Sequence, residues 1–340
     1  MARVRGPRLA FLAVLLAAAL TASACSRSSG APATAGSTPS EDLPQLVPTP
    51  DTLPNGVTSF PVGLGPNGTT AAFGSIWVAN HHDGSVSRLD PRTGKTVAVI
   101  QTGGGPGYVA AGYGSIWMTD FFSNQIARID PTTNKATRIV LGPTHGPGDT
   151  GCAPIPGFGS IWVGSDSDVL RLDPASGKVI ARVPIAKPDA GGADLPCMIQ
   201  QAQGLMWTHA PKFHIEGIDP ATNRVAKDLN YTNIVDGFGT TWVVRAPGLL
   251  DGHVVRLDPA GGNVKPIHVV QGIPTDVLLT LSPGRLWIMD NATDKLLEAD
   301  ARSGKILQTV NTGGLVGQPT FADGAIWLPV FDANAVWRVT

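Results

Sequence analysis

Seven histidines and a scatter of Asp, Asn and Arg carry most of the chemistry this sequence could perform. Asn80, His81 and His82 stand together, and Asp120, His209, Arg245 and Asp290 follow further along. Imidazole and carboxylate groups suit borderline divalent metals, and a metal is the one cofactor these side chains could serve, for instance through His81, His82, Asp120 and His209. A set of this kind could equally bind a polar small molecule. The bland alternative stays open, because Asn and Asp start turns and surface histidines are common. No fixed spacing holds any pair as ligands. H-E-x-x-H, C-x-x-C, G-x-S-x-G and Walker A patterns are all absent, so no catalytic residue is assigned.

The elements that must position these groups are set by tryptophan. Gly74-Ser75-Ile76-Trp77 recurs as Gly114-Ser115-Ile116-Trp117 and Gly159-Ser160-Ile161-Trp162, with looser copies ending at Trp207, Trp242, Trp287 and Trp327. The gaps are 40, 45, 45, 35, 45 and 40 residues. A period of 40–45 residues is the signature of propeller blades. Within one copy, Tyr108–Ala111, Ser115–Thr119, Gln125–Asp130 and Ala136–Leu141 read as four short strands. Alternation in Ile126-Ala127-Arg128-Ile129-Asp130 suits a strand with one buried face. Turns of the type Asp90-Pro91-Arg92-Thr93-Gly94-Lys95 close the third strand. Asp accepts backbone N–H bonds there, Pro presets φ, and Gly or Asn tolerates φ > 0. Four strands in each of seven copies predict an all-β, seven-bladed β-propeller of antiparallel blades over residues 56–340. The last copy lacks a fourth strand after Ala335–Thr340, and Val57–Val62 precedes the first, so the N-terminal strand is expected to complete the last blade and close the ring.

In this frame the position three after each tryptophan, occupied by Asn80, Asp120, Arg245 and Asp290 among others, opens the loop between second and third strands. Loops of that kind crowd one face. With His81, His82 and His209 they form the expected ligand funnel. The tryptophans themselves are expected in inter-blade packing rather than at a ligand. Gly63–Gly68 and Gly146–Gly151 match G-x-G-x-x-G, yet each leads into a short strand and not a helix, so both are turns. Cys152 and Cys197 each stand ten residues before their tryptophan. Equivalent positions on neighbouring blades converge near the axis, which predicts a disulfide between blades three and four in an oxidising compartment.

Arg3, Arg5 and Arg8 precede an apolar run, Leu9–Leu20, too short to span a bilayer. Ala22-Ser23-Ala24 then precedes Cys25, which resembles a bacterial lipoprotein signal. Residues 1–24 are predicted as signal peptide, with Cys25 lipidated and residues 25–55, rich in Ser, Ala, Gly, Thr and Pro, as a flexible tether. This implies an extracytoplasmic protein anchored to the bacterial cell membrane, with plain secretion as the alternative. The net charge of −1 gives no basis for nucleic-acid binding. A monomer with a small-molecule or envelope-protein partner is expected.

Trp77-Val78-Ala79-Asn80 followed by Val86-Ser87-Arg88-Leu89-Asp90-Pro91 resembles the repeats of virginiamycin B (streptogramin) lyase-like and YVTN-type bacterial propellers, over essentially all of residues 57–340. The resemblance implies the propeller fold and, as one family activity, metal-dependent lyase chemistry that relies on a histidine and a later Glu-x-His pair. This chain has no Glu-x-His. His268 could stand for the lone histidine, and Asp290 lies on the nearby second strand. A binding or protein-interaction module is therefore the main expectation, and a lyase or hydrolase with a divergent site is the alternative.

Overall fold

The computed structural model describes residues 53–143, 153–185, 198–210, 214–248, 251–257, 266–270 and 277–340. Every regular element among them is a strand, and the strands form seven antiparallel four-stranded sheets. Blade one is typical, with Pro66–Ala72, Ser75–Asn80, Ser85–Leu89 and Thr96–Gln101 paired in chain order. Blade two repeats it with Pro106–Gly112, Ser115–Asp120, Gln125–Asp130 and Lys135–Val140, close to the bounds expected from sequence. The first strands of successive blades touch one another around the ring, so they line the axis. Because neighbours are antiparallel, the turns joining strands one to two and three to four share one face, here the turn face. Turns joining strands two to three, and the connections between blades, share the opposite loop face.

Ring closure follows the expected plan. Val57–Pro61 pairs with Ala335–Val339, from Val57 opposite Val339 to Pro61 opposite Ala335, and supplies the fourth strand of blade seven. Phe60 on that strand stacks on Trp327 at 5.7 Å. It also fills the space beside Gly94 of blade one, where a Cβ would lie 2.1 Å from the Phe60 ring.

The repeated tryptophans are the joints between blades. Trp77 packs with Ile116 and Met118 of blade two, Trp117 with Ile161 and Val163 of blade three, and Trp162 with Met206 of blade four. The pattern continues from Trp207 to Ile234, from Trp242 to Leu286, and from Trp287 to Ile326. Trp327 closes it against Ile76 and Val78 of blade one. Four indoles donate to the carbonyl five residues back, as Trp77 does to Ala72 at 3.0 Å, so each large apolar surface is buried with its N–H satisfied.

Four of these tryptophans, in blades one, two, three and seven, are also covered by an arginine of their own blade's third strand. Arg88 lies 4.8 Å from the Trp77 ring and Arg171 lies 5.0 Å from Trp162, with Arg128 and Arg338 placed alike. In Arg88, Arg128 and Arg171 the guanidinium then reaches the Asp-Pro turn of the next blade. Arg88 donates to Pro131 O at 2.7 Å and Asn134 Oδ1 at 3.0 Å, and Arg171 to Pro220 O at 2.6 Å and Asn223 Oδ1 at 2.8 Å. Asn134 and Asn223 have φ of 56° and 55°, the left-handed conformation in which Asn is tolerated. These turns are therefore sockets for the preceding blade as well as reversals of the chain. Within them, backbone N–H groups of Thr93 and Arg92 hold Asp90 below the ordinary carboxylate range, as those of Thr132 and Thr133 do for Asp130.

Candidate functional site

The loop face is where the sequence placed its ligand funnel, and the structure assembles part of that set. Asn80 ends the second strand of blade one with its side chain fully buried. Its Nδ2 donates to Ser85 Oγ and Ser87 Oγ, both at 2.9 Å, while Oδ1 meets no donor among the described residues. Ser85 Oγ in turn donates to Asp83 Oδ1 at 2.6 Å, and Asp83 Oδ2 accepts the Leu64 N–H at 2.9 Å. Asn80 thus anchors the turn that presents the two histidines.

His81 is buried, whereas His82 is exposed. The His81 ring lies 5.1 Å from Phe122, 5.5 Å from Phe121 and 5.1 Å from His82. Its Nδ1 is 3.3 Å from Pro106 O, which can only accept, so the proton belongs on Nδ1 in this contact. Burial lowers the His81 pKa from its ordinary value, and His82 adds to that; the Pro106 and Gly105 carbonyls and Asp120 pull the other way. His82 meets Phe331 of blade seven edge-on at 5.1 Å. Gly65 makes this approach feasible, because a Cβ there would stand 2.6 Å from the His82 ring. The result is a continuous aromatic lip across blades seven, one and two, with Leu64 and Phe122 exposed at its rim, Phe122 by 52%.

Asp120 borders this lip but is engaged by its own loop. It accepts the Gly105 N–H at 2.9 Å, the Phe122 N–H at 3.0 Å and the Ser123 hydroxyl at 2.8 Å. The remaining funnel candidates sit elsewhere on the ring. His209 in blade four pairs through Nε2 with Thr232 O. Arg245 in blade five is exposed and lies opposite Tyr231 and His253 in the strand register. Asp290 in blade six is fully buried and accepts the Ala292 N–H at 3.2 Å. Among the described residues, no group of three or more His, Cys, Asp or Glu side chains is arranged to hold a metal ion, so His81, His82, Asp120 and His209 do not converge as a ligand set. Cys25, Cys152 and Cys197 lie outside the described residues.

Sequence reasoning missed Phe121, Phe122 and Phe331. The signal was available: the two residues after the loop-opening position read His81-His82 in blade one, Phe121-Phe122 in blade two and Phe331-Asp332 in blade seven. Aligned by blade, aromatic rings crowd three adjacent copies and are missing at Asp166-Ser167 and Asn291-Ala292.

Comparison with known proteins defines the class. No protein-family model matches the sequence, and no curated protein matches it. Among solved structures, the WD40 β-propeller domain of Doa1 is similar with a TM-score of 0.59 at 13% identity, over 83% of this chain and 95% of that one. Hydrazine synthase from Kuenenia stuttgartiensis gives 0.59 at 13% identity, over 81% and 96%. BamB from Moraxella catarrhalis gives 0.52 at 14% identity, over 80% and 82%. At such identities the likeness speaks for fold alone. Together with the seven sheets, it makes the chain a seven-bladed β-propeller.

Proposed function

We propose that this propeller is an extracytoplasmic binding module, tethered to the membrane through Cys25, that engages an envelope protein at the aromatic lip of its loop face. One observation carries the reading. Phe122, His82 and Leu64 stay exposed over a packed base of His81, Phe121 and Phe331, and rigid aromatic side chains held at a rim are the kind of group that anchors protein partners. The polar residues around it support the loops, as Asp120 and Asn80 do, which leaves recognition to the aromatic edges and to His82. This arrangement favours binding over a metal-dependent lyase, since Asp120 and His209 are already committed to hydrogen bonds within the ring.

A photoreactive amino acid placed at Phe122 in living cells tests the proposal, with the same probe at Val97, an exposed outer-strand position, as reference. A discrete protein adduct at Phe122 and not at Val97 is expected. Equal labelling at both sites, or none, would overturn the reading. Mass analysis of the mature N-terminus separately tests lipid attachment at Cys25.

A further inference from the structure

The turn face carries a second feature that the loop-face reading does not use. Each turn between first and second strands is a two-residue reversal ending in glycine. In four blades its first residue is a large aromatic: Phe73, Tyr113, Phe158 and Phe238. All four adopt positive φ, between 49° and 52°. Two-residue turns with both central residues at positive φ favour Asn-Gly or Asp-Gly, and a bulky side chain there is strained. Packing does not explain three of them, because Phe73, Tyr113 and Phe238 are 44%, 47% and 64% exposed. The glycines beside them project into open space, with no atom within 4 Å of where a Cβ would stand. A local rule broken repeatedly, without burial in return, points to function.

Charge and chain direction say what this surface meets. Asp90, Asp130, Asp173 and Asp300 bend into their own turns to accept N–H and hydroxyl bonds. Lys95, Lys135, Lys178 and Lys305 at the far ends of the same turns are exposed. The turn face therefore presents aromatic rings around the axis with exposed lysines outside them, while Asp236 and Asp323 are exposed among the aromatic turns. The loop face has the opposite cast, with Asp83, Asp166, Asp168, Asp294 and Asp332 in its turns. The separation is partial, since Arg245 and Lys295 stand at the loop face, and a net charge of −1 does not reveal it. The chain also enters the ring at the turn face: Val57 pairs with Val339, Thr340 N–H donates to Gly56 O, and residues 1–52 precede that point.

The geometry points to the turn face as a docking surface for an anionic lipid bilayer, with Phe73, Tyr113 and Phe238 at headgroup depth and the turn lysines against acidic phospholipid. Aromatic rings settle at that depth, and lysines near an acidic leaflet add attraction that salt screens. The inference deepens the tethered-module reading by giving it an orientation: the turn face down, the aromatic lip of the loop face outward.

The test uses the full chain carrying Cys25→Ser, so that no lipid anchor contributes, and sedimentation with vesicles of phosphatidylcholine alone or mixed with phosphatidylglycerol. Binding to the acidic vesicles, weakening with salt, is expected. Replacing Phe73, Tyr113 and Phe238 together by Asn should lower partitioning at least about tenfold, and it should not harm folding because Asn-Gly is the favoured pair in such turns. Each of Lys95→Gln, Lys178→Gln and Lys305→Gln should lower it about fivefold. Val97→Ser with Ile180→Ser, on exposed outer strands, should leave it unchanged. Partitioning that ignores the turn-face substitutions or the acidic lipid would overturn the proposal. Because the anchor cysteine is absent from this assay, failure of lipid attachment at Cys25 and failure of the docking face are read separately.

Discussion

His81 shows how one buried side chain links the candidate site to solution conditions. Its folded pKa lies below the ordinary value of 6.5, chiefly through burial, while the unfolded chain titrates near that value. The unfolded state therefore binds the proton first as pH falls. The stability contributed by neutral His81 is complete above about pH 6.5 and is lost as pH drops through its folded value. Denaturant midpoints measured from pH 8 to pH 5 should fall across the lower part of that range, and His81→Phe should flatten the decline. An identical decline in the variant would show that another group is responsible. At this scale the sequence was legible only in part. Asn80 and Asp120 could be placed at loop starts from their distance to tryptophan, but not the direction in which they point. Asp120 is satisfied by Gly105, on a connection fifteen residues earlier, and no local pattern announces that bond.

Among the elements, the blade was the most readable and the joint between blades the least. Tryptophan spacing and Asp-Pro turns mark four strands per copy because both depend on neighbours in sequence. The arginines over the tryptophans of blades one and three are different, since their partners stand 43 to 52 residues away on the next blade. Read alone, Arg88 and Arg171 look like ordinary polar residues of an alternating strand. Once the ring is assembled, Arg171 lies over Trp162, bonds Ser160 Oγ at 2.8 Å and enters the blade-four turn. Arg171→Gln keeps the strand but removes the cation and its reach. A loss of about 1–3 kcal/mol in urea unfolding is expected, as for a hydrogen-bonded charge. A change below about 0.5 kcal/mol would show that the joint is held by apolar packing alone. Blades four and six depart from the pattern, with Gly217 and Glu298 opposite their tryptophans, and Glu298 pairs with Arg285 at 2.7 Å.

For the whole molecule, the joint between blades seven and one differs from the other six because its outer strand comes from the other end of the chain. Phe60 occupies there the place that Ile139 takes against Gly177 and Ile267 takes against Gly304. Phe60→Ala should cost about 2–3 kcal/mol by loss of buried ring area and of the Trp327 stack. Thermal unfolding that remains unchanged in the variant would assign closure to the backbone pairing alone. That pairing has a consequence in time. Among the described strands Val57–Pro61 is the first to be synthesised and its partner, Ala335–Val339, comes last. During synthesis the opening strand must wait, unmatched, for almost the entire chain to follow it. The clasp thus ties the latest-made of the described strands to the earliest, and the seating of Phe60 on Trp327 depends on both.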